Sequence, residues 1–87
     1  MAPRARGLVK SLNQPEHRVL CDLLADARRK AGLTQAVLAK RLKRPQSFVA
    51  KYEGGERRLD LVEFIGIVRA INADPAKVFR AFLGQTG

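Results

Sequence analysis

The chain has a single cysteine, no tryptophan, four phenylalanines and one tyrosine, and only eight acidic residues against 17 basic ones. One cysteine excludes an intrachain disulfide framework and a zinc set of thiolates. Cys21 falls beside Leu20, Leu23 and Leu24, so the expectation is a small buried hydrophobe rather than a redox or metal-binding thiol. The sole histidine, His17, has neither an acid nor a nucleophile placed to work with it and reads as a surface residue. No glycine-rich loop has phosphate-cradle spacing, and nothing assembles into a catalytic set. The reading is therefore no enzyme, no metal, no cofactor and no small-molecule ligand. No apolar run approaches the roughly 20 residues needed to span a bilayer, and no secretory apolar core stands at the N-terminus, so a cytoplasmic protein is expected.

The shortage of acids leaves a formal charge of +9 and a pI near 10.9. Such a balance favours a polyanionic partner. Charge alone does not separate nucleic acid from an anionic membrane surface, but the basic residues form no single amphipathic stripe, which argues against the membrane. At 87 residues the chain has room for one domain with a modest core and none for a separate ligand-binding domain.

Residues 1–12, MAPRARGLVKSL, carry three cations, no acid and no sustained periodicity, and read as a flexible basic arm. The folded domain is expected over 13–87. Asn13 with Glu16 suits a helix cap, and Leu20, Leu23, Leu24 and Ala27 recur at helical spacing up to Gly32. Thr34 can cap a second helix ending near Leu42, where Pro45 disfavours helical geometry at Arg44. A third helix follows Pro45 and ends at Gly54 and Gly55. Asp60 and Glu63 form a capping box for a fourth, over about 61–71, whose apolar stripe is Leu61, Phe64, Ile65, Val68 and Ile71. Asn72 marks a turn. Asp74 and Pro75 open a fifth helix that carries Val78, Phe79, Phe82 and Leu83 before Gly84. No strand-like alternation appears, so the fold class is all-α with five helices and short connections.

The segment from Leu33 to Gly55, LTQAVLAKRLKRPQSFVAKYEGG, is the informative stretch. Its two short helices each offer an apolar face, Leu38, Ala39 and Leu42 on the first, Val49 and Tyr52 on the second. Each therefore buries only a stripe against a partner. Gln46, Ser47 and Lys51 remain outside on the second helix, where polar donors suit the major groove. Gln can bond adenine bidentately, Lys can donate to guanine, and Ser serves several bases. A solvated polar face is the plain alternative.

With Arg28 seven residues before Gln35, the block GLTQAVLA at 32–39 and SFVAKYEGG at 47–55, the stretch from about Leu24 to Phe79 resembles the Cro/C1-type, XRE-like helix-turn-helix family of bacterial and phage regulators. The resemblance implies a compact five-helix, lambda-repressor-like domain that binds double-stranded DNA. It implies that Gln46, Ser47, Ala50 and Lys51 read sequence, with Ala50 limited to an apolar contact such as a thymine methyl. Gln35 matches the family's phosphate-binding glutamine and stands where free amides at a helix start favour an anion. Lys43 and Arg44 in the turn, and Arg57 and Arg58 after the third helix, are placed for flanking phosphates. For Lys40 and Arg41, and for the RRK run at 28–30, solvation of a helix is an equal reading. The resemblance also implies an ion pair of Arg28 with Glu53 that ties helix one to the end of helix three. One departure stands out: many relatives have Gly in the turn, where this chain has Lys43.

Two functional readings follow. The first is a sequence-specific transcriptional regulator, most simply a homodimeric repressor on a palindromic operator, with a controller of a restriction system as a subtype. Its dimer interface would be Val78, Phe79, Phe82 and Leu83 of helix five, unless all four complete the monomer core. The second is an antitoxin-type module that neutralises a partner protein and uses DNA for autoregulation. Genes for a toxin-like protein, or for a methyltransferase and endonuclease, beside this one would separate them.

Overall fold

The computed structural model describes residues 15–86. The expected arm at 1–12 and the Asn13 cap lie outside the described residues. Among the described residues there are five helices: α1 (Pro15–Lys30), α2 (Gln35–Leu42), α3 (Gln46–Glu53), α4 (Leu61–Ala70) and α5 (Pro75–Thr86). They are all-α and packed around one core.

The helix starts follow local chemistry. The Thr34 hydroxyl accepts from the Val37 amide at 3.1 Å. Asp60 and Glu63 form a reciprocal capping box, with the Glu63 amide donating to Asp60 at 2.7 Å and the Asp60 amide to Glu63 at 3.0 Å. The Ala76 amide donates to Asp74 at 3.0 Å at the start of α5. Such caps satisfy amides that the helix itself leaves without partners.

The helix ends share one device. After α1, α2, α3 and α4 the chain passes through a residue of positive φ: Gly32 at 75°, Lys43 at 56°, Gly55 at 85° and Asn72 at 65°. In each case the amide of the following residue reaches back over the last turn: Leu33 to the Arg28 carbonyl, Arg44 to Ala39, Glu56 to Lys51 and Ala73 to Val68. This is the Schellman closure, which lets the chain reverse while filling carbonyls the helix leaves open.

The core is built from Leu24, Leu38, Ala39, Phe48, Val49, Tyr52, Phe64, Ile67, Val68 and Ile71. Leu24, Leu38, Val49 and Val68 are fully buried, each contributing about 1.5–3 kcal/mol by leaving water. α2 packs chiefly on α3, while α5 lies across α1 and α4.

Several expectations shift. The buried stripe of α1 is Cys21, Leu24, Ala25 and Arg28, with Leu20 and Ala27 only partly covered at its edge. On α4, Ile67 is buried, whereas Leu61 is 65 % exposed. The spacing of Phe64, Ile67, Val68 and Ile71 is the helical one. Leu61 extends that stripe into the first turn, where it borders an open groove with Phe64 and Phe79. α5 does not stop at Gly84 but runs on to Thr86, whose hydroxyl donates to the Phe82 carbonyl at 2.8 Å. Gly84 is not at positive φ, and one glycine within a helix costs only about 1 kcal/mol.

Candidate nucleic-acid interface

α3 presents one face outward and has the other sealed. Gln46, Ser47, Ala50 and Lys51 are exposed, while Val49 and Tyr52 are fully buried and Phe48 nearly so. The helix is thus held by its back, with four neighbouring side chains free to meet another surface.

Its C-terminal end is anchored to α1. Arg28 and Glu53, both 8 % exposed, form a two-pronged pair, Nε to Oε2 at 2.7 Å and Nη2 to Oε1 at 3.1 Å. Arg28 Nη1 also donates to the Leu33 carbonyl at 2.7 Å. The pairing holds the Arg28 guanidinium even more firmly charged than usual, the hydrogen bond to Glu53 outweighing the cost of burial. Gln35 joins the same carboxylate, its amide donating to Glu53 Oε1 at 3.0 Å. The start of α2 and the end of α3 are therefore linked through Glu53, and Gln35 is half-buried with part of its amide already engaged.

Arg18 completes this anchor. Its Nη2 donates to the Glu53 carbonyl at 2.6 Å, at the open end of α3, where a cation meets the negative end of the helix dipole. His17 is half-buried, not a plain surface residue, with Nε2 3.3 Å from the Gly55 carbonyl and 3.7 Å from Cys21 Sγ. The Cys21 thiol is buried, and burial pushes its pKa up. Arg41 plays a similar capping part at α4, donating to the Ala70 carbonyl at 2.9 Å. None of these roles of Arg18, His17 or Arg41 is visible in the sequence, because each partner carbonyl is 29 to 38 residues away.

The basic residues beside α3 differ in their surroundings. Lys43, Arg44 and Arg58 are exposed. Arg57 is half-buried and donates through both Nη atoms to Glu63, at 3.0 Å to Oε1 and 2.9 Å to Oε2, and to the Arg58 carbonyl at 2.7 Å. Arg44 Nη2 approaches the same Oε2 at 3.4 Å. Both guanidinium groups lie over the Phe48 ring, with Arg44 at 4.4 Å and Arg57 at 4.8 Å from its centroid. The Arg57 hydrogen bonds and the Asp60 amide hold the Glu63 carboxyl below the usual carboxylate range.

On α5, Phe79 and Leu83 are each 47 % exposed. Phe82 is half-buried and stacks on Phe79 with ring centroids 6.5 Å apart. Val78 packs against the core, so the four residues expected at one interface divide between inside and outside. An apolar groove of about 250 Å³ runs between α1, α4 and α5, bordered by Leu20, Leu59, Leu61, Phe64, Phe79 and Phe82. Among the described residues no cluster of metal-ligating side chains occurs, and no helix is long and apolar enough to cross a membrane.

A family model described as a helix-turn-helix domain matches residues 19–80. The chain is similar in structure to an XRE-family like protein from Pseudomonas syringae pv. tomato, with 44 % identity and a TM-score of 0.82 over 92 % of this chain and 98 % of that one. Two structures of the clp gene regulator ClgR from Corynebacterium glutamicum superpose with TM-scores of 0.73 and 0.74 at 20 % and 19 % identity. They cover 82 % and 84 % of this chain and 91 % and 78 % of theirs, and at that identity the likeness is one of fold. No curated protein matches the chain.

Proposed function

Because the chain belongs to the XRE-like family of helix-turn-helix, DNA-binding regulators, we propose that it is a homodimeric repressor that reads a palindromic operator in the major groove with α3. The observation that carries this reading is the exposed quartet of Gln46, Ser47, Ala50 and Lys51 on a helix whose other face is buried and whose end is pinned by Arg28 and Glu53. A rigid helix with outward donors suits base edges, since each base pair offers a distinct pattern in the major groove.

In this reading Gln46 serves adenine, Lys51 guanine, Ser47 a neighbouring base and Ala50 a thymine methyl. Gln35, Lys43, Arg44 and Arg58 anchor flanking phosphates, and Arg57 joins them to the extent that Glu63 releases it. The protein works in the cytoplasm on nucleoid DNA, and no catalytic step belongs to this role. The exposed Phe79 and Leu83 supply the contact between two copies. The same apolar face supports the second reading, an antitoxin-type module that holds a foreign protein there.

Selection of bound sequences from random duplexes by the purified chain tests the proposal, with a two-fold symmetric enriched motif expected. No enrichment, together with stable capture of a neighbouring gene's product, shifts the assignment to the second reading. On the enriched site, Gln46→Ala and Lys51→Ala should each weaken binding by about 1–3 kcal/mol and relax preference at one base pair. Equal losses on every sequence would reassign both residues to phosphate anchoring.

A further inference from the structure

Glu63 receives more donors than its place in the fold requires. Oε1 accepts from Arg57 Nη1 and the Asp60 amide, and Oε2 from Arg57 Nη2 and Arg44 Nη2. The capping box explains only the amide, and glutamine fills that role as well as glutamate does. The charge of Glu63 therefore answers to the two arginines. Arg44 stands in the turn before α3 and Arg57 in the loop after it, and both stack over Phe48 in the first turn of that helix. One carboxylate thus spans the basic margins on both sides of the proposed DNA-reading helix.

A carboxylate and a phosphate ask the same thing of an arginine: two parallel N–H donors from its planar fork. In Arg57 both Nη atoms already face Glu63. A phosphate arriving at this margin meets a fork that is occupied. The Arg57 side chain is 38 % exposed and that of Glu63 17 %, so the pair is open enough to be contested by an external anion.

We infer that Glu63 is an internal stand-in for a DNA phosphate, which masks Arg57 and in part Arg44 and so lowers the sequence-independent component of duplex binding. The inference rests on the DNA-binding reading above. It makes Glu63 a residue that sets overall duplex affinity without touching a base: the base-reading contacts are left whole while one phosphate contact is held back. Nonspecific affinity is set by phosphates neutralised and counterions released. Withholding one such contact limits capture by random sequence.

The test measures affinity of the full chain for a random-sequence duplex and for a selected site over a series of salt concentrations. Glu63→Gln keeps the capping box and removes the charge. It should bind both duplexes more tightly, roughly eightfold at about 0.1 M salt, with the salt slope steeper by about 0.9. Arg57→Gln alone should change the slope by less than about 0.5, yet in the Glu63→Gln background it should abolish the gain. Unchanged or weaker binding by Glu63→Gln overturns the mask, as does an Arg57→Gln slope that drops by about 0.9 on its own. Should Glu63→Gln fail to fold, the Arg57→Gln slope decides by itself. A wild-type chain that binds neither duplex removes the DNA reading and the mask with it, whereas normal wild-type binding with either overturning result removes the mask alone.

Discussion

At the scale of single residues, the positions that matter most are polar groups inside the core. Arg28 and Glu53 meet each other's needs, and the value of the pair lies in what would follow from breaking it. An isolated buried charge costs about 3–5 kcal/mol, although the intact pair adds little net stability. Tyr52 is the opposite case. It is fully buried, and its hydroxyl has no hydrogen-bond partner among the described residues. Burial, reinforced by the Glu53 charge, pushes its phenol well above the ordinary range. The neutral phenol is the folded form, so as pH rises past the ordinary value of 10.0 the unfolded chain gives up this proton first. Stability from this group is complete below that pH and is lost above it. Tyr52 is the sole tyrosine, so the ultraviolet phenolate band reads it alone. We expect that band to stay absent until the protein unfolds in alkali, and Tyr52→Phe to retain or slightly raise stability at neutral pH. Phenolate appearing while helical circular dichroism is intact would contradict this account.

At the scale of elements, four helices end through the same closure, and three of them use residues suited to positive φ, namely Gly32, Gly55 and Asn72. The fourth uses Lys43, at φ 56° and ψ 42°. A side chain at such a position costs on the order of 1 kcal/mol, since only glycine lacks the Cβ that collides there. The lysine stands in the turn between α2 and α3, beside the proposed phosphate path, where it offers a cation that glycine lacks. Lys43→Gly should therefore act in opposite directions on two measurements. Urea unfolding should show a gain of up to about 1 kcal/mol, tempered by glycine's freer unfolded chain. Duplex affinity should fall with a salt slope shallower by about 0.9. A more stable variant that binds DNA as tightly as wild type would leave Lys43 with no part in anchoring.

At the scale of the whole molecule, the proposed dimer turns on the exposed side of α5. Phe79 and Leu83 stay half in water although helices α1 to α4 already close a core around Tyr52 and Val49. A symmetric pair of chains would cover them and set two recognition helices about 34–36 Å apart, the spacing of successive major grooves on one face of DNA. Phe82 is a poor place to test this, because it is half-buried against the groove and a charge there threatens the fold. Leu83→Asp is better suited, being on the outward side. It should leave helical content and melting nearly unchanged while light scattering falls from dimer to monomer mass, and operator affinity should drop steeply. A wild-type chain that is monomeric at the concentrations where it binds its operator would remove α5 from the assembly.

Much of this protein was legible in local sequence because its determinants are local. A cap needs a side chain within three residues of its amide, as at Thr34 and Asp60. A helical stripe needs only spacing, and a proline at Pro45 or Pro75 acts on its own φ. The outward face of α3 follows from the same periodicity, so Gln46, Ser47 and Lys51 could be placed by counting. Burial at the ends of elements could not, which is why Leu61, in the first turn of α4, falls outside the core although it continues the stripe. Longer-range contacts were decided only when five helices packed. Arg18 finds the end of α3 and Gln35 turns toward Glu53 because tertiary structure brings those groups within about 3 Å of one another. Charge count makes every arginine an equal candidate for a phosphate. The path of the chain determines which already hold a carboxylate or a carbonyl, since hydrogen-bond geometry is satisfied in space and not along the sequence.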